Sequence, residues 1–175
     1  MDTRSHNSGG LAPAIKELEI RAREVLGTYS NVHRGSGPFS EITTKHFEEA
    51  RATVLDFLDL KPGKHIVIFC SPLSAQKLSG ELKPGSFQEL SGDKYGLALG
   101  IRALVIRKRA LPKGPPFYTG GGTTKLISRE LVIWASLPEK FEAGTPAIIH
   151  VILFAVSLKL LHKYCEIAFT EPLSK

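Results

Sequence analysis

Apolar positions recur at helical spacing in two stretches of the first third of the chain. Ile15, Leu18, Ala22 and Val25 form one stripe and predict a helix over residues 14–26. Phe47, Ala50, Val54, Phe57 and Leu58 form a second stripe, with Ser40 as the expected N-cap and Glu41 in the first turn. Lys61-Pro62-Gly63 stops that run. The pattern then changes: His65-Ile66-Val67-Ile68-Phe69 is continuous, β-branched and apolar, as a strand buried on both faces requires. A short helix is expected over residues 75–82, with strands over 87–90 and 101–106. Residues 111–124 are rich in Pro and Gly, end in Gly120-Gly121-Gly122 and read as a loop. Thr145 as cap and Pro146 at the first helical position then open a last apolar run, residues 147–161. It contains His150 and Lys159 and falls short of the ~20 apolar residues of a membrane span, so a buried helix is expected. Helices alternating with strands predict an α/β fold, with no internal repeats.

Composition narrows the picture further. The 175 residues are 42% hydrophobic and 23% charged, the balance of one globular domain. Residues 1–13 are expected to be a disordered tail and 14–175 a single domain. The polar start, with Asp2 and His6, does not resemble a signal peptide. Cys70 and Cys165 suit neither a disulfide framework nor metal-ligand spacing, which favours a reduced, cytoplasmic setting and no metal. Charge is unevenly placed. Residues 94–129 hold eight basic side chains and no acidic one, whereas the remaining positions carry 15 basic and 17 acidic. Such a field attracts anions, although a solvated strand edge would account for it equally well.

Four segments could carry chemistry. The turn Cys70-Ser71-Pro72-Leu73-Ser74 joins a strand to a helix and offers free N–H groups and hydroxyls to a phosphate. Leu90-Ser91-Gly92-Asp93-Lys94-Tyr95-Gly96 sets a lysine in a Gly-bounded turn, and a lysine is a nucleophile for carbonyl compounds where its pKa is lowered. Pro115-Pro116-Phe117-Tyr118-Thr119-Gly120-Gly121-Gly122-Thr123 lets backbone lie close to a ligand or another chain. Phe141-Glu142-Ala143-Gly144-Thr145-Pro146 begins the last helix. Taken one at a time, each has an ordinary structural explanation.

Together, in this order and behind Asn31-Val32-His33-Arg34-Gly35, these segments resemble the class V family of pyridoxal-phosphate (PLP) enzymes, the aminotransferase and cysteine-desulfurase group. The resemblance runs from about residue 22 to 161. It implies part of a fold-type-I large domain, with a mainly parallel sheet flanked by helices, and PLP as cofactor. By resemblance, Lys94 holds PLP as a Schiff base, while Leu73 and Ser74 cradle its phosphate. Thr123 reaches the phosphate of the neighbouring subunit in a homodimer, and His33 and Arg34 lie on the substrate side. The implied substrate is a small amino acid.

The departures matter as much. In the family, a long segment carrying an aspartate for the pyridine nitrogen and a histidine stacked on the ring precedes the lysine. Here only residues 83–90 separate Leu82 from Ser91, and Asp93 stands where the family has histidine. The family's C-terminal small domain is also expected to be missing. Three readings follow: a shortened PLP enzyme, a family remnant serving as an interaction or dimerisation module with itself or a full-length relative, and a basic nucleic-acid binder. The third has only Tyr95, Phe117 and Tyr118 as stacking groups and is the weakest.

Overall fold

The computed structural model describes residues 11–30, 32, 37–95, 97–144 and 147–164. Its elements run α1 (Leu11–Gly27), α2 (Pro38–Phe57), β1 (His65–Cys70), α3 (Pro72–Gly80), β2 (Phe87–Ser91), β3 (Arg102–Arg107), β4 (Thr124–Ile127), β5 (Val132–Trp134) and α4 (Ile148–Tyr164). Helix α1 begins inside the stretch expected to be a tail. Its buried face is Ala14 and Val25, and Ile15 turns outward at 48% exposure. Gly37, not Ser40, caps α2, because Pro38 pre-sets the helical φ at the first position. Ser40 is instead buried within the helix. Helix α3 starts a turn earlier than expected for the same kind of reason: Ser71 is its cap and Pro72 its first residue. The expected cap of the last helix, Thr145-Pro146, lies outside the described residues.

The α/β class holds, but the sheet is not mainly parallel. The order is β1-β3-β2, and β3 pairs antiparallel with both neighbours. The connection from β2 to β3 is too short for the crossover a parallel pair requires, so β3 must return alongside β2. Strands β1 and β2 consequently run in the same direction, one on each side of β3, joined by the crossover through α3. Two further strands, β4 and β5, form a separate antiparallel hairpin directly after the expected loop of residues 111–124.

Both faces of the three-stranded sheet are covered, which explains the unbroken apolar runs of β1 and β3. Val67, Phe69, Ala103 and Val105 face a core shared with α1, α2 and α4. Ile66, Ile68, Leu104 and Ile106 face Ala75, Leu78 and Leu82 from α3 and its C-terminal turn. Helix α4 packs against both α1 and α2, with Val151, Phe154, Leu158 and Leu161 essentially inaccessible. The apolar run of residues 147–161 is therefore a core helix, as its length and charges indicated. Among the described residues no helix is long and apolar enough to cross a membrane.

Candidate active site at the carboxyl ends of two strands

Because β1 and β2 run the same way, their C-terminal ends meet one end of the sheet, where Cys70, Arg102 and Ser91 stand in a row. Ligands of α/β proteins gather at such strand ends, where loops diverge above a fixed floor. Two predicted segments emerge here. From β1 comes the turn into α3, in which Ser71 Oγ accepts from the Ser74 N–H at 3.2 Å and lies 3.0 Å from Ser74 Oγ. From β2 comes the single 3-10 turn Gly92–Tyr95, which carries Lys94 exposed to solvent. The two strands are two spacings apart, roughly 10 Å.

Gly92 fixes the lysine turn. A Cβ there would stand 2.4 Å from the Leu97 carbonyl oxygen, and the Leu97 N–H donates to the Gly92 carbonyl at 3.0 Å. A side chain at this position would break the loop that presents Lys94. Asp93 is drawn sideways instead of toward Lys94: Arg102 Nη2 binds Asp93 Oδ2 at 2.6 Å, and Arg102 Nε binds Glu89 Oε1 at 3.1 Å.

A cavity of about 480 Å³ opens beside the turn from β1 into α3. Its walls include Ser71, Ser74, Cys70, Tyr118, Gly120 and Glu142. The triple-glycine loop and the Phe141–Gly144 segment build one side together, since the Gly144 N–H donates to the Gly121 carbonyl at 3.0 Å. Thr123 is fully buried. Its hydroxyl donates to the Gly120 carbonyl at 2.8 Å and accepts from the Gly120 N–H at 3.1 Å, closing the loop on itself. Leu73 lies outside the cavity at 58% exposure, and Lys94 is not among its walls. His33 and Arg34 lie outside the described residues.

The most elaborate constellation is one that sequence patterning did not single out. Arg51 of α2 and Glu142 form a bidentate pair, Nη1–Oε1 and Nη2–Oε2 both at 2.8 Å, with their side chains 10% and 8% exposed. Arg51 Nη1 also donates to the Val67 carbonyl at 2.8 Å, and Glu142 Oε1 accepts from the Phe69 N–H at 2.6 Å. Both backbone groups belong to β1, an edge strand, so the pair satisfies an edge that would otherwise be left unpaired. The guanidinium carbon lies 5.1 Å and 5.2 Å from the ring centres of Phe47 and Phe69. Burial opposes the charge on Arg51, but the carboxylates of Glu142 and Glu48 outweigh it and hold its pKa above the ordinary value. The available signal was an arginine on the buried stripe of α2, four residues after Phe47, which has to find an acid.

Cys70 lines the cavity but is a poor nucleophile. Burial pushes its thiol up to about 12, with Glu142 and Glu89 adding to the rise and Arg102 opposing it. The thiolate needed for reaction is therefore scarce near neutral pH.

This is an α/β fold with a strand-end cavity, a hydroxyl-bearing turn and a lysine turn at one sheet end. The Aminotransferase class-V family model matches residues 85–171, and the chain belongs to that family. It is 30% identical over 146 residues to a probable cysteine desulfurase 2 of Mycobacterium leprae (strain TN), a match covering 83% of this chain and 32% of the relative. A probable cysteine desulfurase of Staphylococcus aureus (strain Mu50 / ATCC 700699) is 34% identical over 87 residues, covering 50% of this chain and 21% of the relative. The chain thus spans a third or less of these relatives' length. The apo structure of a cysteine desulfurase from Thermococcus onnurineus NA1 superimposes with a TM-score of 0.61 at 18% identity, covering 89% of this chain and 64% of that one. A cysteine desulfurase structure from Escherichia coli gives 0.59 at 18% identity, covering 87% and 66%. These two likenesses concern the fold.

Proposed function

We propose that this chain holds PLP through Lys94, with the cofactor's phosphate at the Ser71–Ser74 turn, and that it turns over amino acids weakly or not at all by itself. The observation that carries this reading is the shared sheet end: the lysine turn and the hydroxyl turn both leave the C-terminal ends of co-directional strands. The donor set fits the phosphate end of the cofactor, since α3 begins at the cavity and Ser74 brings a hydroxyl to its wall. The ring end is less well provided. Glu142 is the one carboxylate among the described residues lining the cavity, and Arg51 and the Phe69 N–H already hold it. When bound, PLP supplies a carbonyl group for amines and a ring that accepts electron density.

The chain's own residues have distinct parts in this reading. Ser74 and the first N–H groups of α3 bind the phosphate, with exposed Leu73 beside them. Lys94 supplies the amine, and Gly92 keeps its turn in place. Thr123 acts by shaping the Gly120 loop toward the neighbouring subunit of a homodimer. His33 and Arg34 serve the substrate side, where a small amino acid would be taken. A cytoplasmic setting, in which Cys70 stays reduced, belongs to the same reading.

Incubation with PLP, borohydride reduction and peptide mapping by mass tests it. The expected result is a stoichiometric adduct on Lys94 that Lys94→Ala abolishes. Adducts scattered over many lysines would overturn the proposal.

A specific observation favours a second role for the same chain, as a dimerisation module. Leu126, Ile127, Leu131, Val132 and Ile133 of the β4–β5 hairpin are 41–69% exposed, an apolar patch of the kind that marks an interface. Light scattering is expected to show a homodimer that Ile127→Glu with Ile133→Glu converts to monomer. A monodisperse wild-type monomer would remove this role.

A further inference from the structure

The basic stretch of residues 94–129 divides in the fold, and its two parts meet different fates. Arg102, at the cavity end of β3, spends its charge on Glu89 and Asp93. Arg107, at the other end of the same strand, has no ion pair among the described residues, and neither do Lys108 and Arg109. Backbone hydrogen bonds draw two more lysine-bearing segments to this end. The Arg107 N–H donates to the Ser86 carbonyl at 3.0 Å, which brings in the turn that begins at Lys83. The Lys108 N–H donates to the Lys64 carbonyl at 3.0 Å, which brings in the turn before β1. Three segments distant in sequence thus deliver cations to one place, and folding concentrates a field that the sequence only hinted at.

This end also has a shape. A second cavity of about 480 Å³ lies between the turn before β2 and the end of β3, with Lys83, Ser86, Arg107 and Arg109 in its walls. It belongs to the opposite end of the sheet from Ser74 and Lys94. Among the described residues, three of its lining side chains are cationic and one, Glu81, is acidic. Its volume falls in the usual range for small-molecule sites, roughly 300–1,000 Å³. Arginine forks match phosphate oxygens two at a time, and a lysine adds a point charge beside them. Among the described residues no aromatic side chain lines this cavity, whereas sites for single-stranded nucleic acid stack bases on aromatic rings.

We infer that the cavity between Lys83, Arg107 and Arg109 is a second anion site, built for two closely spaced phosphate groups of a small molecule and separate from the cofactor site. Phosphates of a nucleic-acid backbone share this chemistry, and the test distinguishes the two sources.

Calorimetric titration of the full chain with inorganic pyrophosphate at low salt should show saturable binding near one equivalent. Arg107→Gln with Arg109→Gln, both exposed positions, should weaken it at least tenfold. The circular dichroism spectrum of that variant should match the wild type. Lys45→Gln, at an exposed lysine of α2 that lines neither cavity, should leave pyrophosphate binding unchanged. Amide shifts should appear at Gly85, Ser86 and Ala110. Absence of saturable binding, or equal loss in Lys45→Gln and in the arginine variant, would overturn the inference. A twelve-residue oligothymidylate binding more tightly than pyrophosphate, with affinity falling steeply with salt, would overturn the small-molecule assignment. Failure here leaves the Lys94 adduct unaffected, so the two proposals fall separately.

Discussion

Arg51→Ala is expected to lower the unfolding free energy by about 3–5 kcal/mol, the usual cost of removing one partner of a buried ion pair. The substitution leaves the buried Glu142 carboxylate with the Phe69 N–H as its remaining hydrogen-bond donor among the described residues. It also strips the Val67 carbonyl of its donor on the open edge of β1. Urea denaturation followed by circular dichroism reads the change as a lower midpoint with an unchanged slope. Arg51→Met combined with Glu142→Leu separates the two components of the loss. Replacing a buried pair by apolar groups of similar size is often neutral or stabilising, so this double variant should recover much of the stability lost in Arg51→Ala. Equal destabilisation in both variants would show that the edge contacts to β1 dominate over the stranded charge. A loss below about 0.5 kcal/mol in Arg51→Ala would mean that water reaches the pair and that it behaves like a surface bridge.

Phe154→Ala should cost a similar amount, about 3–5 kcal/mol, through a different mechanism. Phe154 is fully buried in α4, within the core that α1, α2 and the sheet share. Truncation removes apolar contact and leaves a void that rigid neighbours close only in part. For a chain of this size each kcal/mol shifts the melting temperature by roughly 2–4 °C, so a drop on the order of 10 °C is expected in differential scanning calorimetry. A drop of only a degree or two would show that α4 packs loosely against α1 and α2 and that the helices repack around the gap. A three-stranded sheet needs both faces covered, and α4 completes the helical layer over one of them by packing on α1 and α2.

The two candidate sites draw on opposite ends of one strand, and both depend on the clamp and core just described. Arg51 and Glu142 join α2 and the Phe141–Gly144 segment to the edge of β1, close to the cavity that Ser74 and Gly120 enclose. Weakening the clamp is therefore expected to loosen that cavity before it affects the anion site near Arg107.

Much of the local structure was legible in the chain because it rests on short-range physics. The apolar stripe of α2, the continuous runs of β1 and β3 and the apolar last helix all follow from which positions must leave water. The lysine turn and the hydroxyl turn were legible as well, and their family likeness came from short motifs in order. The tertiary structure decided what depends on distant partners. It set β3 antiparallel between two co-directional strands, because a short connection cannot carry a parallel crossover. It turned Ile15 outward on α1, since burial there is chosen by α4 and not by the helix alone. It also paired Arg51 with Glu142, 91 residues apart, across an edge that neither residue's neighbours in sequence reveal. Periodicity records which side chains are buried; only the packed fold determines which buried charges and strand edges meet.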